Sequence, residues 1–158
     1  MTATHKKLSL TAKNNLDEVD HIWSAIETKL KDCCPTSREL FQINLVVDEL
    51  FTNIVSYAFK DNKEHDIGVN IRIEKDCLVV EFEDDGIPFN PLEFTPHDMS
   101  TPLSERAEGG LGIHFCKRLA AVFSYERQNN KNRVTFKKKI KKPGLLKKIF
   151  SCRRNHGN

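Results

Sequence analysis

The sequence predicts an α+β two-layer sandwich, in which a mainly antiparallel, mixed sheet carries helices on one face. Two observations support this class. Apolar residues recur at helical spacing in three segments, and short alternating runs follow one another in pairs. The predicted order is β, α, α, β, β, long loop, α, β, β. A doubly wound parallel sheet would instead need strands and helices to alternate along the chain.

The first part of the chain is predicted to form one strand and two amphipathic helices. Alternation over residues 6–12 is typical of a strand, and apolar residues at helical spacing predict a helix over roughly residues 15–33. A second helix, capped by Thr36 or Ser37, is predicted to run to about Phe59.

The second part is predicted to form two hairpins separated by a loop and a helix. A loop of such length inside a compact domain is typical of a lid over a ligand. The predicted segments are strands 67–73 and 78–82, an irregular stretch from Asp84 to about Gly112 with a lid over about 92–108, a helix over 113–122, and strands 123–128 and 133–140.

Composition excludes several classes of protein. A hydrophobic fraction of 39% and a charged fraction of 30% are typical of a soluble globular domain. No apolar run reaches the roughly 18 residues that span a bilayer, and no apolar segment follows Lys6 and Lys7 as in a secretory signal, so a cytoplasmic protein is expected. The five cysteines have no regular spacing, which argues against a disulfide framework or a thiol metal site.

The net charge of +3 is unevenly distributed. Nine basic residues and no acidic ones lie from Lys137 onward, and the remainder carries 16 basic against 22 acidic residues. The basic character is therefore ascribed to a tail, and the sequence predicts a domain over residues 1–142 and a basic tail over 143–158. A disordered, solvated tail is favoured there over a short amphipathic helix on an anionic membrane.

Three motifs could carry chemistry. Glu49 and Asn53 lie one turn apart on the second helix, where a carboxylate and an amide oxygen can hold Mg²⁺ and orient a water or hydroxyl. Asp84 ends a strand and can accept a hydrogen bond from an exocyclic amine, and Gly86 lets the chain turn or approach a flat ligand. Each motif also has a purely structural interpretation: the Glu49–Asn53 pair could be part of a solvated helix face, and Asp84 with Gly86 could form an ordinary turn.

The third motif is the glycine-rich run Glu108-Gly109-Gly110-Leu111-Gly112-Ile113, which leads into a helix. Backbone amides at such a helix start can converge on phosphate oxygens. The spacing fits neither a P-loop nor a Rossmann turn, and a glycine-rich helix start is also a common packing device.

Taken together, the order and context of the three motifs resemble the ATP-binding domain shared by histidine kinases, gyrase, the Hsp90 chaperone and mismatch-repair proteins, the Bergerat-type fold. The chain looks most similar to the anti-sigma-factor serine/threonine protein kinases. The resemblance covers about residues 10–140, and its most specific part is Asp84-Asp85-Gly86-Ile87-Pro88-Phe89-Asn90-Pro91 followed by a short lid and the glycine run.

The resemblance implies a role for each matching position. It makes Glu49 the general base, Asn53 the Mg²⁺ ligand and Asp84 the acceptor for the adenine amino group. Gly86 would lie against the base, and the end of the lid, with Gly109, Gly110, Leu111 and Gly112, would contact phosphates. The family often has Gly-Thr in the closing hairpin, where this chain reads Asn132-Arg133-Val134-Thr135, so Thr135 is only a weak candidate.

The resemblance also implies an activity and partners. The implied activity is ATP- and Mg²⁺-dependent phosphorylation of a serine on an antagonist protein. The implied partners are that antagonist, a sigma factor and a second copy of the chain in a homodimer. The alternative is a non-catalytic ATP-binding anti-sigma or partner-sequestering module. The ATPase part of a histidine kinase is less favoured because no His-bearing helix precedes the domain. Nucleic-acid binding ranks last because the body of the chain is acidic.

Overall fold

The computed structural model describes residues 7–93 and 110–140, which form five strands and three α-helices. The lid beyond residue 93 and the tail over 143–158 lie outside these ranges. The described elements are β1 (Leu8–Lys13), a 3-10 turn (Leu16–Glu18), α1 (Val19–Leu30), α2 (Ser37–Tyr57), β2 (Asp66–Glu74), β3 (Cys77–Asp84), a second 3-10 turn (Pro91–Glu93), α3 (Gly110–Leu119), β4 (Val122–Gln128) and β5 (Lys131–Lys139).

The strands form one sheet in the order β1-β2-β3-β5-β4. All four neighbouring pairs are antiparallel. The predicted fold class, an antiparallel sheet with helices in an α+β arrangement, is therefore confirmed, and no parallel pair occurs among the described strands. The last hairpin joins the sheet through its second strand, so β5 lies beside β3 and β4 forms the edge.

Local sequence signals explain where α2 begins. Thr36 is its N-cap: the Thr36 hydroxyl accepts a hydrogen bond from the backbone N–H of Glu39 (3.2 Å), and the Glu39 carboxylate accepts one from the backbone N–H of Thr36 (2.8 Å). This reciprocal capping box satisfies two N–H groups that helix geometry leaves unpaired. The inward stripe of α2 then packs on the sheet, with Ile43, Val46, Val47, Leu50, Phe51 and Ile54 buried.

The two faces of the sheet differ in chemistry. Alternation along β3 and β5 directs Phe82, Val134 and Phe136 into the core under the helices. The opposite face carries charged side chains that pair across strands, such as Arg133 with Glu83 at 2.7 Å. A functional pocket that needs both helices and sheet must therefore lie on the inner face.

The fold corrects two expectations, on where the third helix begins and on where the basic residues lie. The helix predicted over 113–122 begins at Gly110 and ends at Leu119, so Gly110 and Gly112 are residues of its first turn rather than of a preceding loop. The basic character does not belong to the tail alone, because Lys137, Lys138 and Lys139 lie at the end of β5, within the strand predicted over 133–140. Within the described ranges, no helix combines the length and the apolar character needed to cross a membrane.

Candidate functional site

Glu49 and Asn53 contact each other on the inner side of α2. The Asn53 amide Nδ2 donates to the Glu49 backbone oxygen (2.8 Å) and to the Glu49 carboxylate oxygen Oε1 (3.0 Å). These two bonds fix the orientation of the Asn53 amide, whose residue is only 5% exposed. The Asn53 carbonyl oxygen Oδ1 accepts no hydrogen bond from a described residue, so it remains available to a ligand or cation.

The Glu49 carboxylate points at the first turn of α3. A methyl group placed on Gly112 would lie 1.8 Å from the Glu49 carboxyl carbon and 2.1 Å from its Oε2. The carboxylate therefore occupies space that any other residue at position 112 would fill. This contact brings the helix pair and the glycine-rich motif together. Gly109 lies outside the described residues, as do the side chain of Leu111 and the surroundings of Gly110.

Asp84 is the last residue of β3 and lies on the inner face of the sheet, where it is 3% exposed. Its Oδ1 accepts hydrogen bonds from the backbone N–H of Gly86 (2.9 Å) and from the Asn132 amide (2.8 Å). Among the described residues, none donates to the other oxygen, Oδ2. Asp84 therefore presents one unused acceptor, which suits an exocyclic amine.

Gly86 follows Asp84 and packs against the end of α2. A Cβ at Gly86 would lie 2.5 Å from the carbonyl oxygen of Ala58 and 2.6 Å from its Cβ. The next residue, Ile87, donates its backbone N–H to that same carbonyl at 2.8 Å. Close backbone approach thus requires glycine here, and it fixes the Asp84 turn against α2.

A small cavity of about 10 Å³ lies between α2 and the strand ends. Its walls include both Asn53 and Asp84, so the α2 amide and the strand-end acid face one space. Typical ligand pockets hold roughly 300–1,000 Å³, so a nucleotide base would fit only after the outer wall moves. That wall includes Phe89, which stacks on Tyr57 with ring centroids 5.7 Å apart.

Asn132 is a site residue that the sequence interpretation missed. It is 2% exposed and directly opposite Asp84 in the antiparallel register of β3 and β5. An amide that alternates with inward-facing Val134 and Phe136 was the signal that could have identified it. Thr135 has the opposite orientation: it pairs with Glu81, on the sheet face away from Asp84. The geometry therefore favours Asn132, and not Thr135, as the β5 residue of this site.

Burial shapes the electrostatics of the site. Desolvation raises the pKa of Asp84, and the hydrogen bonds from Asn132 and Gly86 oppose that rise because they stabilise the carboxylate. Burial, with the nearby Glu49 charge, raises the pKa of the Cys116 thiol to about 12. Cys116 is therefore an uncharged packing residue of α3 at neutral pH, and the Glu49 carboxylate is the acidic group beside that helix.

The residues present fit a Mg²⁺ ion that is shared with a ligand. No cluster of three or more His, Cys, Asp or Glu side chains able to hold a metal occurs in the part of the chain that the structure describes. Mg²⁺ commonly uses one or two protein oxygens together with substrate phosphates and water. The Asn53 Oδ1, which accepts no hydrogen bond from a described residue and lies beside the Glu49 carboxylate, is a ligand oxygen of that kind.

On the inner face, Asn53 and the buried acid Asp84 line one cavity, and the Glu49 carboxylate bonded to Asn53 lies against Gly112. This arrangement is typical of a nucleotide-binding domain. The histidine kinase-like ATPase domain family matches residues 11–138, and the chain belongs to that family. ATP is accordingly the nucleotide that the match supports.

Curated relatives match part of the chain. The serine-protein kinase RsbW of Bacillus subtilis is 27% identical over 88 residues, 53% of this chain and 55% of its own length. RsbW of Listeria monocytogenes is 31% identical over 81 residues, 49% of this chain and 52% of its own. The anti-sigma F factor of Geobacillus stearothermophilus is 23% identical over 105 residues, 66% and 72% respectively. The match thus spans about half the length of the first two relatives.

One solved structure supports the fold. The RsbU and RsbW domains of Rv1364c from Mycobacterium tuberculosis superpose with a TM-score of 0.61, covering 88% of this chain and 34% of that one. The sequence identity is 11%, so this likeness bears on the fold alone.

Proposed function

We propose that this chain is an ATP- and Mg²⁺-dependent serine/threonine protein kinase that acts as a partner-switching regulator of the anti-sigma-factor type. The observation that carries the proposal is the position of the Glu49 carboxylate. Asn53 holds it at 3.0 Å on one side, and the first turn of α3 at Gly112 lies against it on the other. A carboxylate between a candidate cation ligand and a candidate phosphate-binding turn is suitably placed for a general base.

The proposed chemistry needs little beyond positioning and charge neutralisation. Glu49 accepts the proton of a substrate serine while the serine oxygen forms a bond to the γ-phosphorus. The bond from that phosphorus to the β-phosphate oxygen breaks, and ADP leaves with the electron pair. Asn53 would hold Mg²⁺, which when bound neutralises phosphate charge.

Asp84 and the adjacent turn would hold the base of ATP. Its Oδ2 has no hydrogen-bond donor among the described residues, whereas adenine presents an exocyclic amine that donates. The surrounding wall is apolar at Leu50, Ile54 and Val134, which suits the faces of a purine ring.

The proposed partners follow from the relatives. Two are named as serine-protein kinases and one as an anti-sigma factor. We therefore propose an antagonist protein with a phosphorylatable serine as the substrate, a sigma factor as the sequestered target, and regulation of transcription as the result. Homodimerisation stays a prediction.

The test is phosphoryl transfer from ATP to the cognate serine-bearing protein, recovered from the native cell extract with ATP present. Glu49→Ala is expected to lower the transfer rate by about 10²–10⁴-fold, because that is the usual contribution of a general base. ATP affinity should change little, since Asn53 keeps its bond to the backbone oxygen at position 49. Glu49→Gln, which preserves size, should behave in the same way.

The neighbouring acid provides a matched control. Asp48 is exposed on α2, and Asp48→Ala should leave transfer unchanged. Unchanged transfer in Glu49→Ala would remove Glu49 from the mechanism. ATP binding by the wild-type chain, without transfer to any partner that it captures, would instead support the non-catalytic, partner-sequestering alternative.

A further inference from the structure

Asn132 lies at the centre of a hydrogen-bond network that uses all of its bonding capacity. Its Nδ2 donates to Asp84 Oδ1 and to the backbone oxygen of Ile87, both at 2.8 Å. Its Oδ1 accepts from the Tyr125 hydroxyl and from Arg127 Nη1, again both at 2.8 Å. Two donors and two acceptor sites are thus occupied, so a flipped amide would lose all four bonds.

Arg127 extends this network to the turn after Asp84. The same Nη1 atom that contacts Asn132 also donates to the backbone oxygen of Gly86 at 3.0 Å. The network therefore ties β4, β5 and the Asp84–Ile87 turn together. Gly86, whose N–H donates to Asp84, also packs on Ala58, the residue that follows α2. The Asp84 carboxylate is therefore held from both the sheet side and the helix side.

We propose that Asn132 and Arg127 are positioning residues that hold Asp84 as a hydrogen-bond acceptor in one orientation, and thereby set the preference of the site for a purine with an exocyclic amine. Asn132 occupies Oδ1, which leaves Oδ2 to face the ligand. An amine at position 6 of a purine donates to that oxygen. A carbonyl oxygen at the same position, as in guanine, meets an acceptor and is rejected.

The network also favours the charged form of Asp84. Burial raises the pKa of this carboxyl group, and the Asn132 amide is the largest opposing contribution. Without the amide, the carboxyl group can rotate and becomes easier to protonate. Either change weakens the distinction between a donor and an acceptor on the ligand.

The inference rests on the proposed nucleotide site, and the experiment separates the two. Equilibrium dissociation constants are measured for ATP and for purine riboside triphosphate, which lacks the 6-amino group. The ratio R is the constant for the analogue divided by that for ATP. In the wild-type chain R should be about 10 or more, the usual value of one hydrogen bond to a charged group.

Asn132→Ala should bring R to within about threefold of 1, mainly through weaker ATP binding, because the analogue does not use the contact. Asn70→Ala is the matched control. Asn70 is a strand amide with side-chain hydrogen bonds to Ser9 and Glu81 on the opposite sheet face, and its loss should leave R unchanged.

A purely structural role for Asn132 predicts a different result, in which both nucleotides weaken by the same factor and R is retained. That result would overturn the inference. If Asn132→Ala does not fold, Tyr125→Phe removes one of the two bonds to the Asn132 oxygen, and R should fall by about two- to threefold. Unchanged R in Tyr125→Phe would contradict the inference. A wild-type chain that binds neither nucleotide would refute the proposed function itself.

Discussion

Gly112→Ala should separate catalysis from stability. The added Cβ would lie 1.8 Å from the Glu49 carboxyl carbon, and real Cβ contacts are essentially never shorter than 3.0 Å. The carboxylate must therefore move by about 1 Å or more. Displacements of that size from a reactive geometry can lower a rate by about 100-fold, and we expect a loss of this order in serine phosphorylation.

The stability of Gly112→Ala should not fall along with its rate of phosphoryl transfer. The clash falls on a side chain that can rotate, and alanine in a helix is favoured over glycine by roughly 0.5–1 kcal/mol. Urea denaturation should therefore give an unchanged or slightly higher free energy of unfolding. The double variant Gly112→Ala/Glu49→Ala should transfer phosphate no more slowly than Glu49→Ala alone, because both changes act on one group.

Gly68→Ala is the control for a glycine substitution in general. A Cβ there would make only ordinary contacts, 3.7 Å from the Glu83 backbone oxygen, so both transfer and stability should be kept. Transfer by Gly112→Ala within about threefold of the wild-type rate would refute the proposed displacement of Glu49, and so would an equally large loss of transfer in Gly68→Ala.

Two further predictions concern stability. Gly86→Ala should lower the free energy of unfolding by about 1–3 kcal/mol in urea titrations, because the Cβ would collide with the backbone of Ala58, which cannot yield as a side chain can; an unchanged midpoint would contradict this close approach. His65 contacts Asp61 at 2.8 Å and Asp85 at 3.3 Å, and the hydrogen bond to Asp61 raises the pKa of His65 above its ordinary value of about 6.5. The charged pair therefore stabilises the fold fully below about pH 6.5 and progressively less as the pH rises through the pKa of the folded state. His65→Gln should lower Tm most near pH 6 and least at about pH 9, and a pH-independent difference in Tm would contradict this assignment.

Local patterns predicted most of the elements because the physics that forms them is local. Thr36, one of the two predicted cap residues, and the hairpin of the strands predicted over 67–73 and 78–82 both follow from residue types and alternation. The third helix is predicted to begin at residue 113, after the glycines, but α3 begins three residues earlier, at Gly110. Here Gly112 is kept inside the first turn, where Glu49 fills the space beside it. Such a contact between distant segments leaves no trace in local propensity.

Pairing between distant strands explains the other differences. The alternation of Val134 and Phe136 already directs Thr135 away from the core and Asn132 towards it. What the alternation cannot give is the register that sets Asn132 opposite Asp84, since that depends on β5 pairing with β3 rather than only with β4. The resemblance therefore points to the acid, the helix pair and the glycines, but not to the amide that bonds the acid.

The central question is whether α2, the strand-end acid and the start of α3 bind one nucleotide. The direct measurement is an NMR titration of the full chain with Mg²⁺-ATP, following the Asn53 side-chain amide and the backbone amides of Gly86 and Gly112. We expect all three signals to shift along saturation curves with a single dissociation constant. Signals that stay unshifted, or that saturate with different constants, would contradict a shared site.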